Sequence, residues 1–407
     1  MKLAFVVQRY GLDIAGGAEY HCRLVAEHMA RHAEVCVLTT CASDYLTWAN
    51  HYPEGRELLN GIPVHRFKVK RPRDPGAFAD WTDRAFRASH DPADELRWLE
   101  EQGPFSPRLV RHIARHRDDH DLFVFFSYRY YPTWHGLRAV RDKALLVPTC
   151  EEDGVYRLSI FPPFFKLPRA IVYNSVEERA LIETVSGNQD VPGDVVGVGS
   201  ALPDRLDAQG FRERSGLTGP YALYVGRIDE NKGCRQLFDF FRRYRGETGS
   251  NLALALIGKP VIEIPKDAGI VHLGFLSDEE KWNALAASDL LIMPSRLESL
   301  SMVTLEAWWA ERPVLVNGRC EVLRGQTRRA NAGLYYTSYD EFREALALLE
   351  ADPALRVQLG RNGRLYFDKH YTWDIVEQKY LGLIATATQR VRVTQPSPSQ
   401  PDPASVS

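Results

Sequence analysis

Over most of its length the chain alternates short apolar runs of strand type with helical stretches, and it does so in two separate series. The first opens with a strand run at 2–8, a loop holding Gly16 and Gly17, a helical pattern from Ala18 to His32, and a second strand run at Glu34–Thr39. Strand, glycine turn, helix, strand is how a parallel α/β sheet begins. Further units follow: helices at 107–116 and 136–142 feed strand runs at 122–127 and 144–149, and a run at 170–174 precedes a helix at 175–185. Residues 192–214 change to glycine, proline and charge, which reads as an interdomain connection. A fresh series then starts, with strand runs at 221–226, 252–257, 270–273, 290–294 and 313–316 and helices at 233–244, 278–288, 301–310 and over most of 338–370. The expectation is an α/β fold of two Rossmann-like parallel-sheet domains, 1–200 and 201–370, facing each other across a cleft. A last helical stretch lies within 371–388, and the Pro- and Ser-rich residues 391–407 read as a disordered tail.

Composition narrows the function classes. A chain of 407 residues exceeds one ordinary core, and a net charge of −2 argues against nucleic acid as the main partner. Six scattered cysteines without a Cys-x-x-Cys pair suit a reducing compartment. No apolar run approaches the roughly 20 residues that span a bilayer, so a cytoplasmic location is expected. The basic residues Lys68–Arg73, Arg115 and Arg117 with Phe161–Lys166 suggest a peripheral membrane contact, or simply basic turns beside a buried aromatic loop. Asp119-His120-Asp121 has a metal-binding pattern but precedes a strand, the wrong end for a ligand site, and His112, His116 and His120 read as a solvated helix face. No metal is expected.

Three motifs at strand-to-helix junctions carry chemistry. Gly16-Gly17-Ala18-Glu19 lets a backbone approach an anion at a helix start, or else marks a turn needing positive φ. It lacks the spacing of a dinucleotide fingerprint. In Gly226-Arg227-Ile228-Asp229-Glu230-Asn231-Lys232-Gly233, a strand ends at Gly226, and Arg227 and Lys232 offer a fork and a point charge to a diphosphate. In 294–306, Glu298 and Glu306 are eight positions apart. The amides of Ser299, Leu300, Ser301, Met302 and Val303 gather at a helix start. Glu306 is read two turns into that helix, with ribose hydroxyls as partners for a half-buried carboxylate.

With these motifs in this order, and with Val172-Tyr173-Asn174-Ser175, Val196–Gly199 and Leu273–Leu276, the chain resembles glycosyltransferase family 4 over about residues 1–388. The resemblance implies the GT-B fold and a retaining, metal-independent transfer from a nucleotide diphosphate sugar, UDP before GDP, to a hydroxyl acceptor. It implies that Arg227, Lys232 and Glu298 are catalytic. Gly16, Gly17, Gly226, residues 299–303 and Glu306 would bind the donor, and the last helix would cross back to the first domain. Reaction is expected on one face, the departing phosphate helping to deprotonate the acceptor.

One position departs from the pattern. Glu151 stands about where many relatives carry a histidine lining the sugar pocket, and a carboxylate accepts where an imidazole can also donate. Tyr128, Tyr130 and Trp134 are candidates to stack on an acceptor, or core residues. The acceptor surface is expected on the long segments 42–60 and 68–105, read as loops. An epimerase or phosphorylase on the same fold, and a non-catalytic nucleotide-sugar-binding subunit, are the rival readings.

Overall fold

A computed structural model describes residues 1–14, 16–87, 89–266 and 269–393. The first series builds β1 (Lys2–Val6), β2 (Glu34–Thr40), β3 (Gly55–Leu59), β4 (Ile62–Phe67), β5 (Leu122–Phe126), β6 (Ala144–Val147), β7 (Ala170–Tyr173) and β8 (Gly193–Val195). They form one sheet in the order β3-β4-β2-β1-β5-β6-β7-β8, parallel except for the β3–β4 pair. The second series builds β9 (Tyr221–Val225), β10 (Ala253–Ile257), β11 (Ile270–His272), β12 (Leu290–Met293), β13 (Val314–Asn317) and β14 (Gly333–Tyr336). These form a wholly parallel sheet ordered β11-β10-β9-β12-β13-β14.

The strands read as continuous apolar runs because both faces of each sheet are covered. β5, LFVFF, is buried at every position. Along β1, Leu3 and Phe5 enter one core while Ala4 and Val6 enter another on the opposite face. Chain order reverses between β1 and β5 in the first sheet and between β9 and β12 in the second. Ligands of such sheets bind beyond the carboxyl ends of the strands at these reversals. The loops after β1, β5, β9 and β12 therefore meet at the cleft.

The helix Trp373–Val393 returns to the first domain. His28 stacks on Trp373, with ring centres 3.4 Å apart, and Glu377 accepts from His28 at 2.5 Å and His32 at 2.7 Å. From Thr394 the expected tail lies outside the described residues.

Several expectations are corrected. The segment 68–105 is not a loop: it folds into helices Pro75–Ala85 and Pro92–Gln102, each begun by an aspartate whose side chain caps the helix ahead of a proline. Within 42–60, β3 turns into β4 through Asn60-Gly61, both at positive φ, as a two-residue hairpin requires. The helix read at 136–142 is Tyr131–Ala139, started by Pro132 in its first turn. The interdomain reading of 192–214 takes in β8 and all but the last residue of the helix Ala208–Ser215. Phe161, Phe164 and Phe165 are fully buried against Tyr128 and Trp98, so they offer nothing to a membrane. Among the described residues no helix is long and apolar enough to cross one.

Candidate functional site

On the first domain, Gly16 sits at φ −85°, so its role is not a left-handed turn. A side chain there would meet Glu19 Oε2 at 2.0 Å and Arg9 Nη2 at 2.9 Å, whereas at Gly17 the space is open. Glu19, buried in the first turn of the helix Gly17–Met29, is paired with Arg9 at 2.6 Å. The helix start thus already holds a compensated carboxylate. The Gly-Gly reading did not foresee it, although Glu19 is part of the quoted motif.

On the second domain the loop after β9 is fixed by close backbone contacts. Gly258 packs so tightly that a Cβ would stand 1.9 Å from the Gly226 carbonyl oxygen. Gly233, at φ +75°, would place one 2.4 Å from the Pro294 carbonyl oxygen. The second contact welds the Lys232 loop to the Glu298 loop. Asp229, buried, pairs with the Arg227 guanidinium and accepts the Lys232 amide at 2.8 Å. Arg227 also lies over the Tyr45 ring of the first domain, 4.9 Å from its centre. Lys232 Nζ donates to Glu298 Oε1 at 2.7 Å. Burial works against the Lys232 ammonium, yet Glu298 and Glu151 hold its pKa above the ordinary lysine value.

The helix after β12 runs Met302–Trp309, so Glu306 is little more than one turn in, not two. Ser301 precedes it at φ +69° and shares its hydroxyl with Thr304 at 2.9 Å instead of capping the helix. The Met302 and Val303 amides are left without a side-chain cap, as an anion site requires. Ser299 and Leu300 belong to the loop, Leu300 buried and Ser299 partly exposed. Glu306 is 4% exposed and accepts from Lys281 at 2.9 Å. Its protein partner is this ammonium, which local sequence did not signal. Tyr20 reaches toward this end from the first domain: burial raises its pKa, and Asp278, Lys281 and Glu306 are its charged neighbours.

Glu151, after β6, is only partly exposed. Burial pushes its pKa up, Arg129 and Lys232 oppose the rise, and Glu298 and Asp153 add to it. The carboxylate therefore stands within electrostatic reach of Lys232 and Glu298 across the cleft. Arg129, at the end of β5, pairs with Asp153 at 2.5 Å.

The aromatic acceptor candidates separate. Tyr128 is fully buried against Phe161 and Phe165, and Trp134 is 7% exposed in the same core, so neither can stack on an acceptor. Both follow β5 closely and fill the layer beneath it. Tyr130 keeps some exposure, edge-on to Trp48 at 5.5 Å, near Arg9, Glu19 and Arg73. A cavity of 810 Å³ runs between the domains beside Glu298, with Tyr156, Leu181 and Val185 on one wall and Leu297 and Val322 on the other. Among the described residues no group of three or more His, Cys, Asp or Glu side chains is placed to hold a metal. His112 and His116 pack ring to ring at 4.2 Å near the starts of β1, β2 and β4, the end of the sheet remote from the cleft.

Residues 207–366 match the family described as Glycosyl transferases group 1. The matched segment contains Arg227, Lys232, Glu298 and Glu306. The two facing sheets have the GT-B architecture, and the second of them carries the Glycosyl transferases group 1 match. Among curated relatives, the mannosylfructose-phosphate synthase of Agrobacterium fabrum is 26% identical over 201 residues, 44% of this chain and 43% of that protein. The chain thus aligns with less than half the length of that relative. Sucrose-phosphate synthase from Thermosynechococcus elongatus superposes with a TM-score of 0.69 at 18% identity, over 94% of this chain and 99% of that one. HepE from Anabaena, solved in complex with UDP and glucose, gives 0.69 at 14% identity, over 95% and 99%.

Proposed function

We propose that the protein transfers a sugar, with retention of anomeric configuration and without a metal, from a nucleotide diphosphate donor to a hydroxyl-bearing acceptor. UDP-sugars are the favoured donors; HepE was solved with UDP and glucose. The observation that carries the reading is one of convergence. Arg227 and Lys232 lie at the second sheet's order reversal, next to Glu298 and the uncapped Met302 and Val303 amides, with Glu151 facing them from the first domain. In this state each cation is occupied by a carboxylate, Arg227 by Asp229 and Lys232 by Glu298. A diphosphate entering the cleft competes for both, and preorganised cations of this kind stabilise charge developing on a leaving group. Glu306, set one turn behind the amides, suits the ribose. Glu298 and Glu151 suit the sugar, and Gly16 and Gly17 would face the phosphates from the opposite domain.

Calorimetric titration with UDP-, GDP-, ADP- and dTDP-sugars, in EDTA and again with magnesium, tests this reading. Selective binding unchanged by EDTA supports it. Binding that needs the metal overturns the metal-free part, and no binding to any donor favours a non-catalytic or degenerate relative. Product analysis with the bound donor then distinguishes transfer from epimerisation or phosphorolysis.

A further inference from the structure

Two strand ends under the sugar side of the cleft are bent in a way that ordinary residues resist. Ser127, after β5, has φ +64° and Thr149, after β6, has φ +49°. Neither is glycine, and left-handed backbone is strained for such residues. The two bends are tied to each other, Ser127 Oγ to Thr149 Oγ1 at 2.8 Å. Two positions after these bends stand Arg129 and Glu151, and Glu151 is the one within electrostatic reach of Lys232 and Glu298. What holds the second bend is a buried carboxylate on the helix Val176–Ser186. Glu178, 1% exposed, accepts the Cys150 amide at 2.5 Å through Oε1 and the Asn174 amide through Oε2. It thereby ties the ends of β6 and β7 into one unit, one residue before Glu151.

We propose that Glu178 is a positioning residue: by holding the Cys150 and Asn174 amides it fixes the strained turn that presents Glu151 to the sugar end of the donor site. This rests on the donor reading above, in which Glu151 lies by the transferred sugar. A buried carboxylate without a counter-cation is costly, and the contacts that offset the cost here are donated by the Cys150 and Asn174 amides. Two amides at the mouth of a cleft do need an acceptor, because the bend takes them out of the strand ladder. The groups facing Glu178 are Glu151, the Cys150 thiol, and the hydroxyls of Tyr173 and Tyr380, the last held by His21 at 3.2 Å. Burial, partly offset by the two amides, places the Glu178 pKa at about 8. Its grip on the amides is therefore expected to strengthen as pH rises through that value.

The test is a double-mutant cycle on Glu178→Gln and Glu151→Gln, read as the affinity gained by the best-bound UDP-sugar over UDP alone. Glu178→Gln keeps one acceptor and loses the other. It should leave UDP affinity within about twofold and cut the sugar-dependent gain about tenfold, the scale of one coupled interaction. Glu151→Gln should do the same, and the double variant should fall no more than about a further twofold, since one residue acts through the other. Losses that multiply, or a UDP-sugar gain untouched by Glu178→Gln in folded protein, would overturn the proposal. The amide NMR signal of Cys150, read where Glu178 is ionised, gives a readout free of any donor: it should shift in Glu178→Gln, which removes the carboxylate that accepts it. If no nucleotide binds, the donor reading fails by itself, while a Cys150 amide signal unmoved by Glu178→Gln still sinks the positioning role.

Discussion

Glu306 and Lys281 form an enclosed ion pair on the second domain's side of the site, with side chains 5% and 15% exposed. Burial lowers the tendency of Lys281 to stay charged, but Glu306 more than restores it, raising the lysine pKa above its ordinary value. Removing one partner strands the other charge, which costs about 3–5 kcal/mol for a buried pair. Glu306→Ala should therefore lose nucleotide affinity and stability together, and thermal melts with calorimetry check both. Adding Lys281→Met should return most of the melting temperature but none of the affinity, which separates the structural from the ligand-binding part of the loss. Gly233→Ala is the complementary case. The new methyl would press on the Pro294 carbonyl, in a backbone region already unfavourable to alanine. The expected result is displacement of Lys232 from Glu298 and a nucleotide affinity lowered by about tenfold or more, the cost of one misplaced charged contact.

Among the elements, the crossing helix is held by groups that titrate. His21 is buried on the helix Gly17–Met29, edge-on to Phe126 and bonded to Tyr380, and burial lowers its pKa to about 3. A histidine with a depressed folded pKa binds fewer protons than its unfolded counterpart between that value and about 6.5. Stability should then fall as pH drops from 6.5 toward 3, by up to about 1.4 kcal/mol per pH unit from this residue. His28, also lowered by burial, adds to the same slope. Glu377 is held below its usual range by His32 and His28 against its own burial, so its contribution is lost as pH falls below the ordinary carboxylate range toward its own lower pKa. Denaturant unfolding at pH 7, 6 and 5 should show the loss, and His21→Gln should flatten the curve. Much at this scale was readable from sequence: alternating apolar runs marked the strands at the cleft because strands covered on both faces carry no polar positions. What escaped is instructive. β3 is a mostly exposed edge strand with few apolar residues, so periodicity could not find it, though the Asn60-Gly61 turn signalled the hairpin. The two helices of 75–102 announced themselves by Asp-Pro starts rather than by a strong apolar stripe. The roles of Tyr128 and Trp134 could not be separated from that of Tyr130 by composition, because burial depends on what packs beneath β5. The Lys281–Glu306 and Glu178–Cys150 contacts join residues 25 and 28 positions apart, and no local pattern encodes them.

For the whole molecule, the site exists only while the two domains face each other, and few side-chain contacts bridge the cleft. Arg227 over Tyr45 is one, and the charge field shared by Glu151, Lys232 and Glu298 is another. Arg329 of the second domain binds Glu177 of the first, which lines the cavity beside Glu298, through both nitrogens, at 2.5 and 3.0 Å. This pair is partly exposed, 36% and 18%, so its worth to global stability is small, about 0–1 kcal/mol. Its leverage is on geometry, because a bidentate contact between the two domains favours the orientation in which Glu151 reaches Lys232. Arg329→Ala should leave the melting temperature nearly unchanged while broadening the distribution of interdomain distances between labels placed on the two domains. Donor affinity should weaken in proportion to the closed fraction lost, since a ligand that binds only the closed form is weakened by that fraction. The charge-swapped pair Glu177→Arg with Arg329→Glu should restore both the distance distribution and the affinity. A swap that restores neither, or an Arg329→Ala variant as closed as the wild type, would mean that the domains are oriented by the crossing helix alone.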